Sequence, residues 1–420
     1  MGFGLGAAQA KTLGELLPEL LAKHERVKSS VQAVESAKQL KRVAEAAMYP
    51  SVSVTGDFSR EEISKPAVAT RSTTIYNRNT QTVTVNQLLY DFGSTDSAVA
   101  VQASAVSIAE ANQELLKQGL IFEGVVAYLE ALKAYRKLQT DRDSVTSLRK
   151  QVGLEQKQVD SGAGQIQSVL QAQQQLTATR ARQVGNEGAL INAGHTYRKV
   201  FGEGVTEEEV KDFKRPPAPF DMLPTSLEEA VGIAKRDNPQ LIMSKLLLDQ
   251  TSSQLEQVKA GYYPTFNAYG DVKRKENDAG TPGERVDNEL GIKFSWLAYQ
   301  GGATLATERA TMANLQKAKY DLYDASRTVE EAVRRAWQTL LTSRDVAAIN
   351  KENARLAGRY LELARQDKKM GGQTTLLEIL LNEVNYATAR AESVSAEIDT
   401  LTSAYNLMNS MGRLNVEMFQ

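Results

Sequence analysis

Two kinds of apolar spacing alternate along this chain, and they predict its elements. From Leu13 to Met48 the spacing is that of a single helix. Beyond Pro50 the period becomes two, with Val52, Val54 and Phe58 alternating against Ser51, Ser53, Thr55 and Asp57. Such alternation belongs to a strand with one apolar and one polar face. A polar stretch from Glu61 to Thr80 reads as a loop, and Val83, Val85 and Leu89 mark a second strand. After Gly93, Val101, Ile108, Leu115, Phe122 and Leu129 recur every seven positions, and Leu138, Val145, Val152 and Val159 continue in a shifted phase. Sustained heptads predict coiled-coil packing. Nothing interrupts the helix between about Thr95 and Asp160, so at 1.5 Å per residue it would run roughly 90–100 Å.

The same succession occurs twice. Thr12-Leu13-Gly14-Glu15-Leu16 aligns with Ser226-Leu227-Glu228-Glu229-Ala230, and Met48-Tyr49-Pro50-Ser51 with Tyr262-Tyr263-Pro264-Thr265, both at an offset of 214. Tyr90-Asp91-Phe92-Gly93 aligns with Tyr299-Gln300-Gly301-Gly302 at an offset of 209, so an intervening loop is shorter in the second copy. Gly162 pairs with Gly372 and Gly202 with Gly412. Second-copy strands follow Phe266 and Ala268, then Leu290, Ile292, Phe294 and Trp296; Leu315, Leu322, Val329 and Ala336 resume the heptads. No proline falls between Pro66 and Pro216 or after Pro282, as very long helices require.

The expected organisation is a leader remnant or replaced leader over 1–10, where Ala8-Gln9-Ala10 resembles a cleavage site. The first repeat spans 11–202, with strands near 51–60 and 81–92 and long helices near 95–160 and 164–201. A linker, 203–225, surrounds Pro216-Pro217-Ala218-Pro219. The second repeat spans 226–414, with strands near 265–274 and 287–298 and long helices near 303–370 and 374–411, and a tail covers 415–420. The fold class is mainly α with a small β part, internally duplicated.

Composition narrows the function. The 420 residues are 42% hydrophobic, with a mean hydropathy of −0.38. No stretch approaches the ~20 apolar residues of a membrane-spanning helix, and even Gly119–Leu132 is broken by Glu123 and Glu130. A helical membrane protein is excluded; a β-barrel, whose strands carry a weaker hydropathy signal, is not. Lys and Arg total 50 against 51 acidic residues, which leaves no basic footprint for nucleic acid. There is no cysteine, and the two histidines, His24 and His195, lie far apart and read as helix-surface residues. A nucleophile elbow, a phosphate loop, a dinucleotide fingerprint and a zinc helix are all missing. The chain reads as a non-enzyme with no cofactor and no metal, so any transport through it takes its energy from a partner.

Four half-apolar strands cannot close a barrel, for which about eight are needed, and the helices are far too long to fold back over them. Sharing a barrel between chains solves this: two chains give eight strands, and three give twelve with a lumen. An oligomer is expected. Tyr49, Tyr262 and Tyr263 precede the ascending strands, while Tyr90, Phe92, Trp296 and Tyr299 end the descending ones. Pro50, Pro264, Gly93, Gly301 and Gly302 lie at the same junctions. Because both repeats place them alike, the rings suit a girdle at a membrane–water interface; packing of the strand–helix junction is the plainer alternative.

In element order, duplication and motifs, the chain resembles the TolC-type outer-membrane efflux and secretion channels of Gram-negative bacteria. The residues carrying the resemblance are the strand entries and exits above, together with Ser161-Gly162-Ala163-Gly164 and Met370-Gly371-Gly372-Gln373-Thr374-Thr375-Leu376-Leu377-Glu378-Ile379. It extends from about residue 11 to Leu414. The resemblance implies a homotrimer whose twelve strands form one barrel in the outer-membrane lipid and whose twelve long helices form an α-barrel tunnel through the periplasm. A periplasmic adaptor and an inner-membrane transporter, of ABC type, would dock at the helix tips, the turns around Gly162, Gly164, Lys368, Gly371 and Gly372. Those glycines also fit as plain helix terminators, and Lys368 and Lys369 as solvated lysines.

Members of the family close the tunnel near the second tip with a tyrosine–arginine–aspartate network and acidic rings. Here the first acidic position falls on Glu378, so an acid is kept, while the tyrosine position falls on Lys369, the arginine on Thr374 and the second acid on Leu381. The closing network is therefore not the family's usual one. Glu378 is expected either to form a ring of three carboxylates that attracts cations and binds divalent ions or to be a solvated helix residue. An exit duct for type I protein secretion is the leading expectation, since the N-terminal cysteine of lipidated multidrug members is absent. Small-molecule efflux through the same duct is the alternative, and a soluble periplasmic coiled-coil adaptor or scaffold is the alternative of another class.

Overall fold

The computed structural model describes residues 12–65 and 72–419. The expected leader segment 1–10 and the final residue of the tail lie outside the described residues. In chain order the helices and strands are α1 (Leu13–Lys23), α2 (Glu25–Ala46), β1 (Ser51–Lys65), β2 (Ser72–Tyr90), α3 (Ser94–Asp160), α4 (Ile166–Phe201), α5 (Glu207–Lys211) and α6 (Leu227–Asp237). They continue with α7 (Pro239–Ala260), β3 (Thr265–Glu276), β4 (Glu284–Ser295), α8 (Ala303–Lys369) and α9 (Leu376–Ser410). At 67 residues each, α3 and α8 would measure about 100 Å. The chain forms two compact units, one comprising Gln32–Ala111 with Met243–Asp324, the other the segments up to Val31, Asn112–Ile242 and from Ala325 onward.

The first unit holds a four-stranded antiparallel sheet in the order β1-β2-β3-β4. Residues directly opposite one another share a face, so the register assigns the faces. Val52 lies opposite Val85, Val54 opposite Val83, and Val83 opposite Val272. Ala268 lies opposite Ile292, Gly270 opposite Leu290, and Phe266 opposite Phe294. These residues make one apolar face. The other face carries Ser53, Thr55, Asp57, Thr80, Thr82, Thr84, Asp271, Lys273, Asp287 and Glu289. There Thr84 Oγ1 donates to Asp271 at 2.6 Å.

The strands run further than the apolar alternation indicated. The segment expected as a loop from Glu61 to Thr80 is largely strand, with β1 reaching Lys65 and β2 beginning at Ser72. Beyond Phe58 both faces are polar, so alternation fades while backbone pairing persists from Ser59–Arg78 to Lys65–Ser72. β3 and β4 end at Glu276 and Ser295, shifted by two or three residues from the expected bounds.

The expected single helix from Leu13 to Met48 is two, α1 and α2, broken at His24. His24 is extended, at φ −66° and ψ 132°, and its Nδ1 accepts from the Arg26 backbone N–H at 3.1 Å. The equivalent residue of the second copy, Asn238, is extended at φ −69° and ψ 121°, and its Oδ1 accepts from Gln240 N at 3.0 Å. Pro239 forces the break after Asn238; the first copy has Glu25 there and carries no such signal. His24 is thus a helix cap rather than a plain surface residue.

The segment 203–225 is no free linker either. It contains α5, opened by a Thr206–Glu209 capping box, and Val210, Phe213 and Pro219 are buried. Phe213 stacks on Tyr128 of α3 with centroids 4.1 Å apart. Tyr128 Oη donates to the Lys214 carbonyl at 2.9 Å, and Tyr405 Oη of α9 to the Pro217 carbonyl at 2.5 Å. Burial pushes the Tyr128 phenol up to about 12, so it remains a donor at neutral pH. The tail packs as well, Phe419 stacking on Tyr405 at 5.0 Å.

Gly412 ends the second repeat at φ +76°, and a Cβ there would come within 2.7 Å of the Asp237 carbonyl and Asn238 Cα. Gly202, its counterpart, has φ +80° and open space around it. Gly412→Ala should therefore destabilise by about 1–3 kcal/mol and lower the melting temperature by circular dichroism. Gly202→Asn should stay within about 1 kcal/mol, because Asn tolerates the left-handed region.

Candidate functional site

At the end of the sheet where the helices begin, each descending strand turns into a long helix through two consecutive left-handed residues. In the first copy these are Phe92 (φ 57°) and Gly93 (φ 84°); in the second they are Gly301 (φ 62°) and Gly302 (φ 85°). A non-glycine residue there costs about 1–2 kcal/mol. Phe92 meets Tyr90 edge-on at 4.8 Å and stacks on Tyr263 at 4.7 Å, and such pairs contribute about 0.5–1.5 kcal/mol each. That is enough to hold a ring in a glycine position. Asp91 closes the turn, its carboxylate accepting from Gly93 N at 3.2 Å and from Thr95 N and Oγ1 at 2.7 and 2.6 Å.

The structure brings several of the expected aromatics together here. Trp296 Nε1 donates to the Tyr262 carbonyl at 3.1 Å, and Tyr262 Oη to Glu308 at 2.7 Å. Pro50 and Pro264 immediately precede β1 and β3. Tyr49, Tyr90, Tyr263, Trp296 and Tyr299 nevertheless remain exposed, Tyr299 to 83%. Junction packing therefore involves Tyr90, Phe92, Tyr263 and Trp296 without removing their rings from the surface.

The helix tips are built differently in the two repeats. Between α3 and α4, Gly162 lies at φ +76°, Ala163 N donates to the Gln158 carbonyl at 2.9 Å, and a Cβ on Gly164 would strike Val159 N at 2.8 Å. Turn geometry alone accounts for both glycines. Between α8 and α9, Gly371 takes φ +80°, Gly372 N donates to the Asp367 carbonyl at 2.9 Å, and a Cβ on Gly372 would fall 2.1 Å from the Asp367 carboxylate. That carboxylate accepts from Thr374 N at 3.0 Å and Thr374 Oγ1 at 2.6 Å. The two hydrogen bonds from Thr374 hold its carboxyl below the usual aspartate range. Thr375 then caps α9, receiving Glu378 N at 3.2 Å while its own N–H donates to Glu378 Oε2 at 2.8 Å.

Glu378 is therefore the second half of a capping box, on an exposed surface with Leu381 and Lys369. Lys368 is not simply solvated: its ammonium lies 3.6 Å from the carboxylate of Glu155 on α3, whose side chain is only 5% exposed. Gln151 Nε2 donates to the same carboxylate at 2.8 Å. Arg365 donates to Glu383 on α9 and to Ser147 Oγ on α3, the latter at 3.0 Å. Beneath these contacts Leu148, Ala172, Leu376 and Leu380 form a common core between α3, α4 and α9. Asp367, Glu155, Arg365 and Glu383 went unnoticed in the sequence. Of this group only the Thr375-x-x-Glu378 spacing is a local signal.

The family model for outer membrane efflux proteins matches residues 16–203 and again 230–413. The chain belongs to the outer membrane efflux protein family. It is 23% identical over 412 residues to the outer membrane efflux protein BepC of Brucella suis biovar 1 (strain 1330), covering 98% of this chain and 87% of that one. It is 24% identical over 388 residues to the alkaline protease secretion protein AprF of Pseudomonas aeruginosa, covering 89% of this chain and 79% of that one. The solved outer-membrane channel OprN superposes with a TM-score of 0.82 at 19% identity, over 96% of this chain and 90% of that one.

An outer membrane efflux protein of this kind is an outer-membrane protein of Gram-negative bacteria. Its fold is that of the TolC-type channels, an α-barrel continued by a β-barrel and shared by three chains, as the sequence led us to expect. The family consists of passive channels rather than enzymes. Among the described residues no helix is long and apolar enough to cross a membrane, and no cluster of acids and histidines could hold a metal ion.

The depressed pKa of Asp367 makes the second tip acid-sensitive. Its contribution is fully present above the ordinary aspartate value of about 3.9 and is lost as pH falls through the lower folded value. Hydrogen exchange at Thr374, corrected for intrinsic rates, should accelerate as pH falls below about 4. Asp367→Ala should show the fast exchange already at pH 7.

Proposed function

We propose that three copies of this chain form the outer-membrane exit duct of a tripartite export machine, engaged by a periplasmic adaptor and an inner-membrane transporter and used for type I protein secretion. The observation that carries the reading is the sheet. Among the described residues β1 pairs only with β2 and β4 only with β3, so both edges are open there, and the apolar face is uncovered, with Leu290 at 88%, Ile292 at 71% and Phe294 at 67% exposure. Lipid outside and edge-to-edge closure with two further copies satisfy both features, leaving the polar face to a water-filled lumen. The apolar part of β1, Ser51–Phe58, measures about 24 Å along the strand, or roughly 18 Å of depth at a tilt of ~40°. With the exposed aromatics as a girdle at its inner end, that is the greater part of the ~25 Å apolar band of outer-membrane barrels.

The protein-secretion reading is supported by AprF, whose name is that of a protease secretion protein. BepC, named an efflux protein, supports small-molecule efflux as the second reading. The turns at Gly162–Gly164 and Gly371–Gly372 are the proposed adaptor contacts. Photocrosslinkers placed beside them should capture an adaptor in cells, and the copurified transporter should distinguish a protein exporter from a drug pump.

The purified protein in a planar bilayer should open large, cation-preferring pores. A detergent-free monomer without conductance would refute the duct. Glu378 is proposed to face the lumen as a ring of three carboxylates. Glu378→Gln preserves the capping box, which accepts Gln as well as Glu, and removes only the charge. The expected result is weaker cation preference and weaker block by divalent ions; if both stay at wild-type values, there is no ring.

A further inference from the structure

The connection between β3 and β4 runs outward beside the longer β1–β2 pair, but out of the plane of the sheet. From the last pair, Glu276 with Glu284, the segment Asn277–Gly283 bends sideways over the polar face and rests on β2 and β1. Asn277 Nδ2 donates to the Asn77 carbonyl of β2 at 3.1 Å. Gly280 sits so close that a Cβ would lie 2.8 Å from Thr74 Oγ1 on β2 and 3.5 Å from Ile63 Cδ1 on β1. Ile63 and Thr74 are paired opposite one another, in the polar-face series that also holds Asp57, Glu61 and Arg78. Since adjacent strands are about 4.8 Å apart, the segment reaches about 10 Å across the sheet.

Its backbone is strained at Ala279. Asn277, Ala279, Gly280 and Gly283 all have positive φ, at 54°, 53°, 72° and 113°. An alanine holds such a conformation only where surrounding contacts impose it. The charges at the crossing supply some of them. Asp278 lies 3.7 Å from the Arg78 guanidinium and 3.5 Å from the Lys275 ammonium. Both cations are shared: Arg78 also meets Asp57 at 2.9 Å and Glu61 at 3.6 Å, and Lys275 meets Asp287 at 3.3 Å. Asp278 is therefore held by two long, divided ion pairs rather than one tight one. Pairs of this sort are weak and are screened by salt.

We infer that Asn277–Gly283 is a strap across the lumen at the end of the barrel away from the helices, and that three of them, latched through Asp278 to Arg78 and Lys275, set the size limit of the outer mouth. The inference rests on the duct reading, because the polar face lines a lumen only if the barrel closes. A latch made of screened ion pairs lets the mouth widen when the strap is pushed aside by cargo or loosened by salt.

The cysteine-free chain gives a clean background for the test. Ala279→Cys, in the strap, and Val286→Cys, on the apolar face, are reconstituted separately in planar bilayers and treated with a bulky, charged, water-soluble thiol reagent. Current should fall stepwise, in up to three steps, for the strap variant and stay unchanged for the apolar-face variant. Asp278→Asn should shift the channel to a larger conductance level and flatten its dependence on salt. Trimers on unheated gels establish that each variant is folded. If Ala279→Cys channels conduct, are labelled and lose no current, or if Asp278→Asn matches wild type, the strap inference falls while the duct stands. If folded trimers of every variant and of the wild type fail to conduct, it is the duct reading that falls.

Discussion

A β-sheet that ends in two unpaired edges must find partners for them, and within lipid there is no water to take their place. Among the described residues β1 and β4 present such edges, and the exposed apolar face beside them belongs in the same solvent. Closing a ring with further copies relieves both at once. The rest of the chain can be understood as what that ring demands. The strands must leave it in register, so each descending strand ends in a rigid left-handed turn. The helices that continue from it are amphipathic enough to pack with one another and polar enough to stand in water.

Duplication supplies those parts in pairs, and the pairs solve the same backbone problem with different chemistry. The break near the start of each repeat is capped by an imidazole nitrogen at His24 and by an amide oxygen at Asn238, each accepting from the backbone two residues on. The left-handed turn is a double glycine in one copy and Phe92-Gly93 in the other, where stacking on Tyr263 offsets the strain. The tip turn is secured by close packing at Gly164 in one copy and by the Asp367–Thr374 clasp in the other. Backbone geometry, rather than side-chain identity, is what the two halves share.

Much of this was legible in the sequence because it is periodic. Alternation placed Val52, Val54, Leu290 and Ile292 on one face, and heptads through Leu129, Leu138 and Val145 marked buried positions of α3. What was not legible lacks a period. Beyond Phe58 both faces of the sheet are wet, so the strand has no hydrophobic signature although its ladder continues to Lys65. The break at His24 depends on an acceptor that no proline announces. The anchoring of residues 203–225 depends on Tyr128 and Tyr405, whose hydroxyls reach carbonyls 86 and 188 residues away in sequence. The Lys368–Glu155 and Arg365–Ser147 contacts join helices more than two hundred residues apart. Local pattern cannot see such pairs.

The difference between the two tips has a consequence for symmetry. A trimer of duplicated chains displays six hairpin ends, which from a distance resemble a sixfold crown. The crown alternates, however: a small, uncharged Ser-Gly-Ala-Gly turn, then a turn clasped by an aspartate and followed by Glu378. A ring of six identical partner subunits settling on it would meet two kinds of seat, three of each. Such a partner must either tolerate both or pair its own subunits into dimers, one member for each seat.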